Sequence, residues 1–163
     1  MTGTRIALAD VEDVLRDALT LRDASLVIFR RGLLVEFKTG LIAPGLSASV
    51  EAGHRSWQIG PFDGHHCHLD LDAVRAIEFD AELVECQGGR LNYTVWFIAE
   101  ADCGNPHRPQ GLFSVTLNAP YDPDGSPRLD IVDAMYALHA RHRHRAGVRA
   151  TAGFLDAAIV RNG

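Results

Sequence analysis

The chain has 163 residues, with 16 Lys+Arg against 21 Asp+Glu, a net charge of −5 with histidine neutral, and 47% hydrophobic residues. This balance supports a packed core and excludes a disordered chain and a generic basic nucleic-acid binder. No run reaches the roughly 18–20 apolar residues of a membrane span.

The first predicted element is a helix capped by Asp10, with Asp13 in its first turn. Val11, Val14, Leu15, Ala18 and Leu19 recur at helical spacing and form one apolar face. Leu26-Val27-Ile28-Phe29 and Leu33 to Lys38, broken at Arg30-Arg31-Gly32, predict a β-hairpin. Residues 39–53 hold Gly40, Pro44, Gly45 and Gly53 and predict a loop with a short strand. Trp57 and Ile59 belong to a strand that ends at Gly60-Pro61. Residues 65–71 alternate, with His66, His68 and Asp70 on one face and Cys67, Leu69 and Leu71 on the other.

Residues 76–84 alternate again. Ile77, Phe79, Ala81 and Leu83 point inward; Glu78, Asp80 and Glu82 point to solvent. Gly88-Gly89 predicts a hairpin turn. Residues 91–99 form the strongest strand, with Tyr93, Val95 and Phe97 opposite Asn92, Thr94 and Trp96. The Pro-rich stretch Cys103 to Pro109 predicts a protruding loop. Residues 112–119 place Phe113, Val115 and Leu117 opposite Ser114, Thr116 and Asn118. Ser126-Pro127 then reads as a helix start, with Ile131, Met135, Leu138 and His142 as its buried stripe. A last helix is expected over 151–160, through Phe154, Leu155, Ala158 and Ile159.

The order of elements predicts an α+β fold in one domain, residues 1–163. About six to seven antiparallel strands form the sheet, flanked by N- and C-terminal helices. Cys67, Cys86 and Cys103 are odd in number and form no CxxC pair, which fits reduced thiols in the cytoplasm. The first residues, Met1 to Ala7, do not have the pattern of a signal peptide. No GxSxG, HExxH or phosphate-binding glycine loop occurs, so no catalytic residue is assigned.

Histidine is enriched, with eight residues. His66 and His68 share a strand face about 7 Å apart, a spacing that suits two ligands on one divalent transition metal, with Asp70 as an oxygen donor. The competing expectation is the solvated face of a half-exposed sheet. In His54-Arg55-Ser56-Trp57, an imidazole can bind iron, a guanidinium a carboxylate, and an indole can stack on a planar ring. A plain loop with a buried tryptophan is the alternative. Arg141-His142-Arg143-His144-Arg145 offsets the negative end of a helix dipole or, alternatively, binds an anion. Cys103 and His107 offer a thiolate and an imidazole without a third partner.

The hairpin from Leu26-Val27-Ile28-Phe29 to Val35-Glu36-Phe37-Lys38-Thr39-Gly40, the segment His54 to Gly60, the strand Leu91 to Glu100 and the helix Arg128 to His142 carry a resemblance. Across residues 25–142 the chain resembles haem-utilisation carriers of the ChuX/HutX type, and one half of the larger HemS/ChuS-type hemin-degrading proteins. The resemblance implies an antiparallel sheet flanked by helices, with haem held between sheet and side chains and His54 as first candidate iron ligand. Two features depart from the pattern: Ile59-Gly60-Pro61 lacks the family's arginine, and the insert Cys103 to Gly111 is longer.

The leading expectation is therefore a cytoplasmic homodimer that binds haem or a related planar small molecule. It engages neither nucleic acid nor membrane. Its candidate cofactor-binding residues are His54, Arg55, Trp57, His66 and His68, and its candidate metal ligands are His54, His66 and His68. The alternatives are a metal-binding protein using His66 and His68, and a non-catalytic dimeric domain that has lost its ligand.

Overall fold

The computed structural model describes residues 5–30, 33–42, 46–51, 54–61, 63–64, 66–85 and 88–161; the side chains of 41, 42, 51, 54, 55 and 159–161 lie outside that description. Helix α1 (Leu8–Ala18) starts two residues before Asp10, with Ala7 at the N-cap and no side-chain cap. Asp10 instead lies in the first turn, where an acid suits the helix dipole, and its carboxylate accepts from Arg145 at 2.5 Å. The apolar face is as expected: Val11, Val14, Leu15 and Ala18 are all buried.

Strands β1 (Ala24–Arg30) and β2 (Leu33–Lys38) form the predicted hairpin, from Ser25 opposite Lys38 to Arg30 opposite Leu33. The expected loop over 39–53 contains a short helix α2 (Thr39–Ile42) and a strand β3 (Leu46–Glu51). Strands β4 (His54–Ile59) and β5 (Cys67–Leu69) follow, then β6 (Val74–Val84), β7 (Arg90–Ala99) and β8 (Gly111–Leu117). The chain ends with α3 (Leu129–His142), β9 (Val148–Ala150) and α4 (Ala152–Arg161).

The fold is α+β and mostly antiparallel, but its strands divide between two sheets. The larger has the order β2-β1-β8-β7-β6-β9 and the smaller β3-β4-β5. Strand β9 pairs parallel to β6, with Ile77 opposite Val148. Its three residues are too few to show an alternation, which is why the sequence pattern missed it.

One face of the large sheet carries the core. Phe79, Val95, Phe97, Phe113 and Val115 are fully buried there, and each such side chain contributes about 1.5–3 kcal/mol. Helix α4 closes over β6 through Phe154, whose ring lies 5.7 Å from Phe79 and 4.4 Å from Tyr136. Thr151 caps α4 by accepting from the Phe154 amide at 3.2 Å. Gly153 allows this close approach: a Cβ there would meet the Ala81 carbonyl oxygen at 2.5 Å.

Helix α3 begins at Leu129, with Arg128 at its N-cap. Ser126-Pro127 does not start it: the Ser126 amide and hydroxyl bind the Asp124 carboxylate at 2.9 and 2.6 Å, and Pro127 bridges to Tyr121. This local turn competes successfully with a helix cap. At its other end α3 is tied to α1. Asp17 accepts from Arg141 at 2.6 Å and from His142 Nε2 at 2.9 Å, while Arg145 reaches Asp13 at 3.0 Å. Burial pushes the Asp17 carboxyl up, but the hydrogen bonds from His142 and Arg141 outweigh it and hold the group below the usual carboxylate range. Arg141, His142 and Arg145 are thus engaged in a clasp between two helices.

Candidate functional site

Of the histidines singled out in the sequence, His54 and His68 lie on the small sheet, and His66 stands one residue before β5. On β4, His54 stands opposite Glu51 and Arg55 opposite Val50; the side chains of His54 and Arg55 lie outside the described residues. His68 on β5 pairs with Gln58. Four strand residues, about 13 Å, separate Gln58 from His54, so the backbone does not set His54 and His68 side by side.

Trp57 is 1% exposed, and its indole N–H donates to Glu12 of α1 at 2.5 Å. Its rings fasten the small sheet to α1 and present no open face to a planar ligand. His66 and His68 are brought together: both are exposed, with ring centroids 5.4 Å apart. Among the described residues no third His, Cys, Asp or Glu joins them in a metal-sized group, and Asp70 stays exposed outside it. Cys67 is half-buried, and burial pushes its thiol up to about 11, which makes it a poor nucleophile or ligand.

The face of the large sheet turned away from the helices has a different chemistry. Strand pairing lines up Glu36, Val27, Ser114, Trp96, Glu78 and Arg149 in one transverse row. A second row runs Lys38, Ser25, Thr116, Thr94, Asp80. The hydroxyls form a ladder, Thr94 to Thr116 at 3.1 Å and Ser114 to Thr116 at 3.4 Å. Alternation assigns Glu78 and Asp80 to this face correctly, but they are 5% and 8% exposed rather than solvated. Glu78 pairs with Arg108 and with Arg149, and Asp80 accepts from Thr151 at 2.7 Å.

Arg108 reaches Glu78 because the 100–110 loop does not protrude. It folds back as a strap over this outer face. Cys103 N–H donates to the Pro109 carbonyl at 2.6 Å, closing the loop base. Asn105, 3% exposed, accepts from the His107 and Arg108 amides at 3.0 and 3.2 Å. This Asx-type turn aims the two side chains apart. His107 meets Phe29 of β1 edge-to-face at 6.1 Å. Burial and Asp80 push the Glu82 carboxyl up, and His107 draws it back down, so His107 stands within electrostatic reach of β6 as well.

A cavity of about 860 Å³ opens on the same face, lined by Val27, Glu36, Lys38 and Thr116, with Asp23 and Asn118 at its end. Its volume lies within the range of small-molecule sites, roughly 300–1,000 Å³. Phe29, which carries His107, is one same-face step of about 7 Å from Val27. The Asp23 carboxylate is neutralised by Arg128 at 2.8 Å. The lining offers the Lys38 ammonium to a carboxylate and Val27 as an apolar wall, while His107 and Phe29 lie on the same face outside it.

The sequence offers His107 only beside Cys103, as an imidazole without a third partner, although Asn105-Pro106 marks a turn before it. Which way the turn folds depends on Glu78, more than twenty residues away in sequence.

No family model and no curated protein matches the sequence. Solved structures do match in fold. A crystal structure of ChuX superposes with a TM-score of 0.59 at 11% identity, covering 86% of this chain and 77% of that one. A structure of the heme-binding protein ChuX gives 0.57 at 11%, covering 87% and 78%. A protein from Erwinia carotovora gives 0.58 at 17%, covering 85% and 74%. The resemblance noted in the sequence is thus distant, and it lies in the architecture.

Proposed function

We propose that the chain is a haem-binding carrier that takes the tetrapyrrole on the outer face of its large sheet, under the 100–110 strap. The observation that carries this reading is a cavity of about 860 Å³ on the outer face of the large sheet with Lys38 in its lining, and His107 held over Phe29 of that same face. The fold shared with the heme-binding protein ChuX supports it. When bound, haem supplies an iron that takes an imidazole nitrogen and two carboxylates that take cations. Here His107 offers the nitrogen, Lys38 offers the cation, and the strap shields the face from water.

Titration of the chain with hemin tests this. One equivalent shifts the Soret band, and His107→Ala weakens binding by at least about tenfold. His54→Ala and His66→Ala leave it unchanged. An unshifted Soret band removes the reading altogether. A shift abolished by His54→Ala and untouched by His107→Ala returns the ligand to the small sheet.

The carrier is proposed to act in the cytoplasm, which free Cys67 and Cys103 support; no described helix is long and apolar enough to cross a membrane. A homodimer through the β2 edge is part of the same reading. Leu33 and Leu34 are 56% and 57% exposed on that edge strand, a surface that natural sheets cover. Sizing chromatography gives a dimer for the wild type and a monomer for Leu34→Lys; a monomeric wild type contradicts it.

A further inference from the structure

We infer that His66 and His68 form a second site, for a single divalent first-row transition ion, independent of the haem reading. Three observations converge. Both rings are exposed, on either side of Cys67. Their centroids are 5.4 Å apart. Two imidazoles holding one ion through nitrogens at about 2.0–2.1 Å, at a tetrahedral angle, place their centroids about 5 Å apart. The centroid separation is therefore the one a shared ion needs, and the rings, edge-to-face at 79° without it, reach it by side-chain rotation alone.

The third observation fixes the proton. His66 Nδ1 lies 2.9 Å from the Gly64 carbonyl oxygen. A carbonyl only accepts, so Nδ1 carries the hydrogen, and in the neutral ring Nε2 is left with its lone pair. A ring nitrogen bound to a backbone carbonyl is the usual support behind a metal-ligating histidine, orienting the ring and raising its basicity. Gly64 is itself constrained, since a Cβ there would meet Pro61 Cγ at 2.8 Å. The turn that presents the carbonyl thus depends on a residue without a side chain.

Two protein nitrogens leave the remaining positions to water. Imidazole selects the borderline ions, with Cu²⁺ ahead of Ni²⁺ and Zn²⁺. An open site of this kind picks up and releases its ion readily.

The test is equilibrium dialysis of the tag-free chain against ZnCl₂ and NiCl₂, with circular dichroism to confirm folding. One equivalent binds, and His66→Ala and His68→Ala each weaken it by about tenfold or more. Gly64→Ala weakens it in the same direction by moving the carbonyl, whereas His107→Ala has no effect, which separates this site from the haem reading. Long-range proton–nitrogen spectra report Nδ1-protonated His66 before metal addition and a shifted Nε2 after. Stoichiometric binding that survives His66→Ala, or no binding at millimolar ion, overturns the inference.

Discussion

Phe154→Ala lowers the unfolding free energy by about 3–5 kcal/mol. For a chain of this size each kcal/mol moves the melting temperature by roughly 2–4 °C, so the midpoint falls by about 6–20 °C. Phe154 is fully buried and touches Phe79, Tyr136 and His139, at centroid distances of 5.7, 4.4 and 5.3 Å. Among the described side chains it is the main apolar anchor of α4 on β6, so the cavity left behind lies between helix and sheet and fills poorly. A denaturant titration showing a loss under 1 kcal/mol would mean that α4 is not packed as described.

The same cluster sets a pH dependence. His139 lies 5.0 Å from Phe79, and burial, then the nearby Arg143 charge, holds its imidazole below the ordinary histidine value. The unfolded chain therefore takes up the proton first. Stability from this group is complete above an unfolded pKa of about 6.5 and is lost as pH falls from there through the folded value. The stability difference between wild type and His139→Gln accordingly shrinks as pH is lowered from 7.5 to 5.

Period-2 alternation assigned almost every inward residue of β6, β7 and β8, because it is a local property of the pleat. Exposure is not local. Glu78 and Asp80 fell on the right face yet are buried, since Arg108, Arg149 and Thr151 arrive from distant parts of the chain. Trp57 was legible as a strand residue, but its partner Glu12 belongs to a helix 45 positions earlier. The Asp10 and Ser126 caps failed because each side chain found a competing partner, Arg145 in one case and Asp124 in the other. His66 and His68 lie side by side as their spacing predicts, although β5 covers only Cys67–Leu69 and His66 precedes it. The hydrogen bond that fixes the tautomer of His66 comes from the turn at Gly64, which no periodicity describes. His107 is legible in the sequence only as an imidazole near Cys103 in a Pro-rich loop, because its contact with Phe29 depends on how the strap folds back.

Glu78→Ala costs more stability than Arg108→Ala, about 3 kcal/mol against about 1 kcal/mol. The order follows from what each change strands. Without Arg108, the Glu78 carboxylate keeps Arg149 at 2.7 Å, and removing one guanidinium relieves the repulsion between the two. Burial and Arg149 already hold the Arg108 guanidinium below its ordinary range. Without Glu78, both guanidiniums face the outer sheet with no carboxylate between them. Arg149 is 58% exposed and rehydrates, but Arg108 is 33% exposed and does not do so fully. Either change frees the strap, because Arg108 is its ion pair to β6. Amide exchange at His107 and Arg108 then speeds up in both variants, and hemin affinity falls although neither residue is placed as an iron ligand. Arg108→Lys keeps the charge without the planar fork and restores part of each effect. If Arg108→Ala destabilises more than Glu78→Ala, or leaves strap exchange and hemin binding as in the wild type, the strap is not held by this pair and its histidine is not positioned by it.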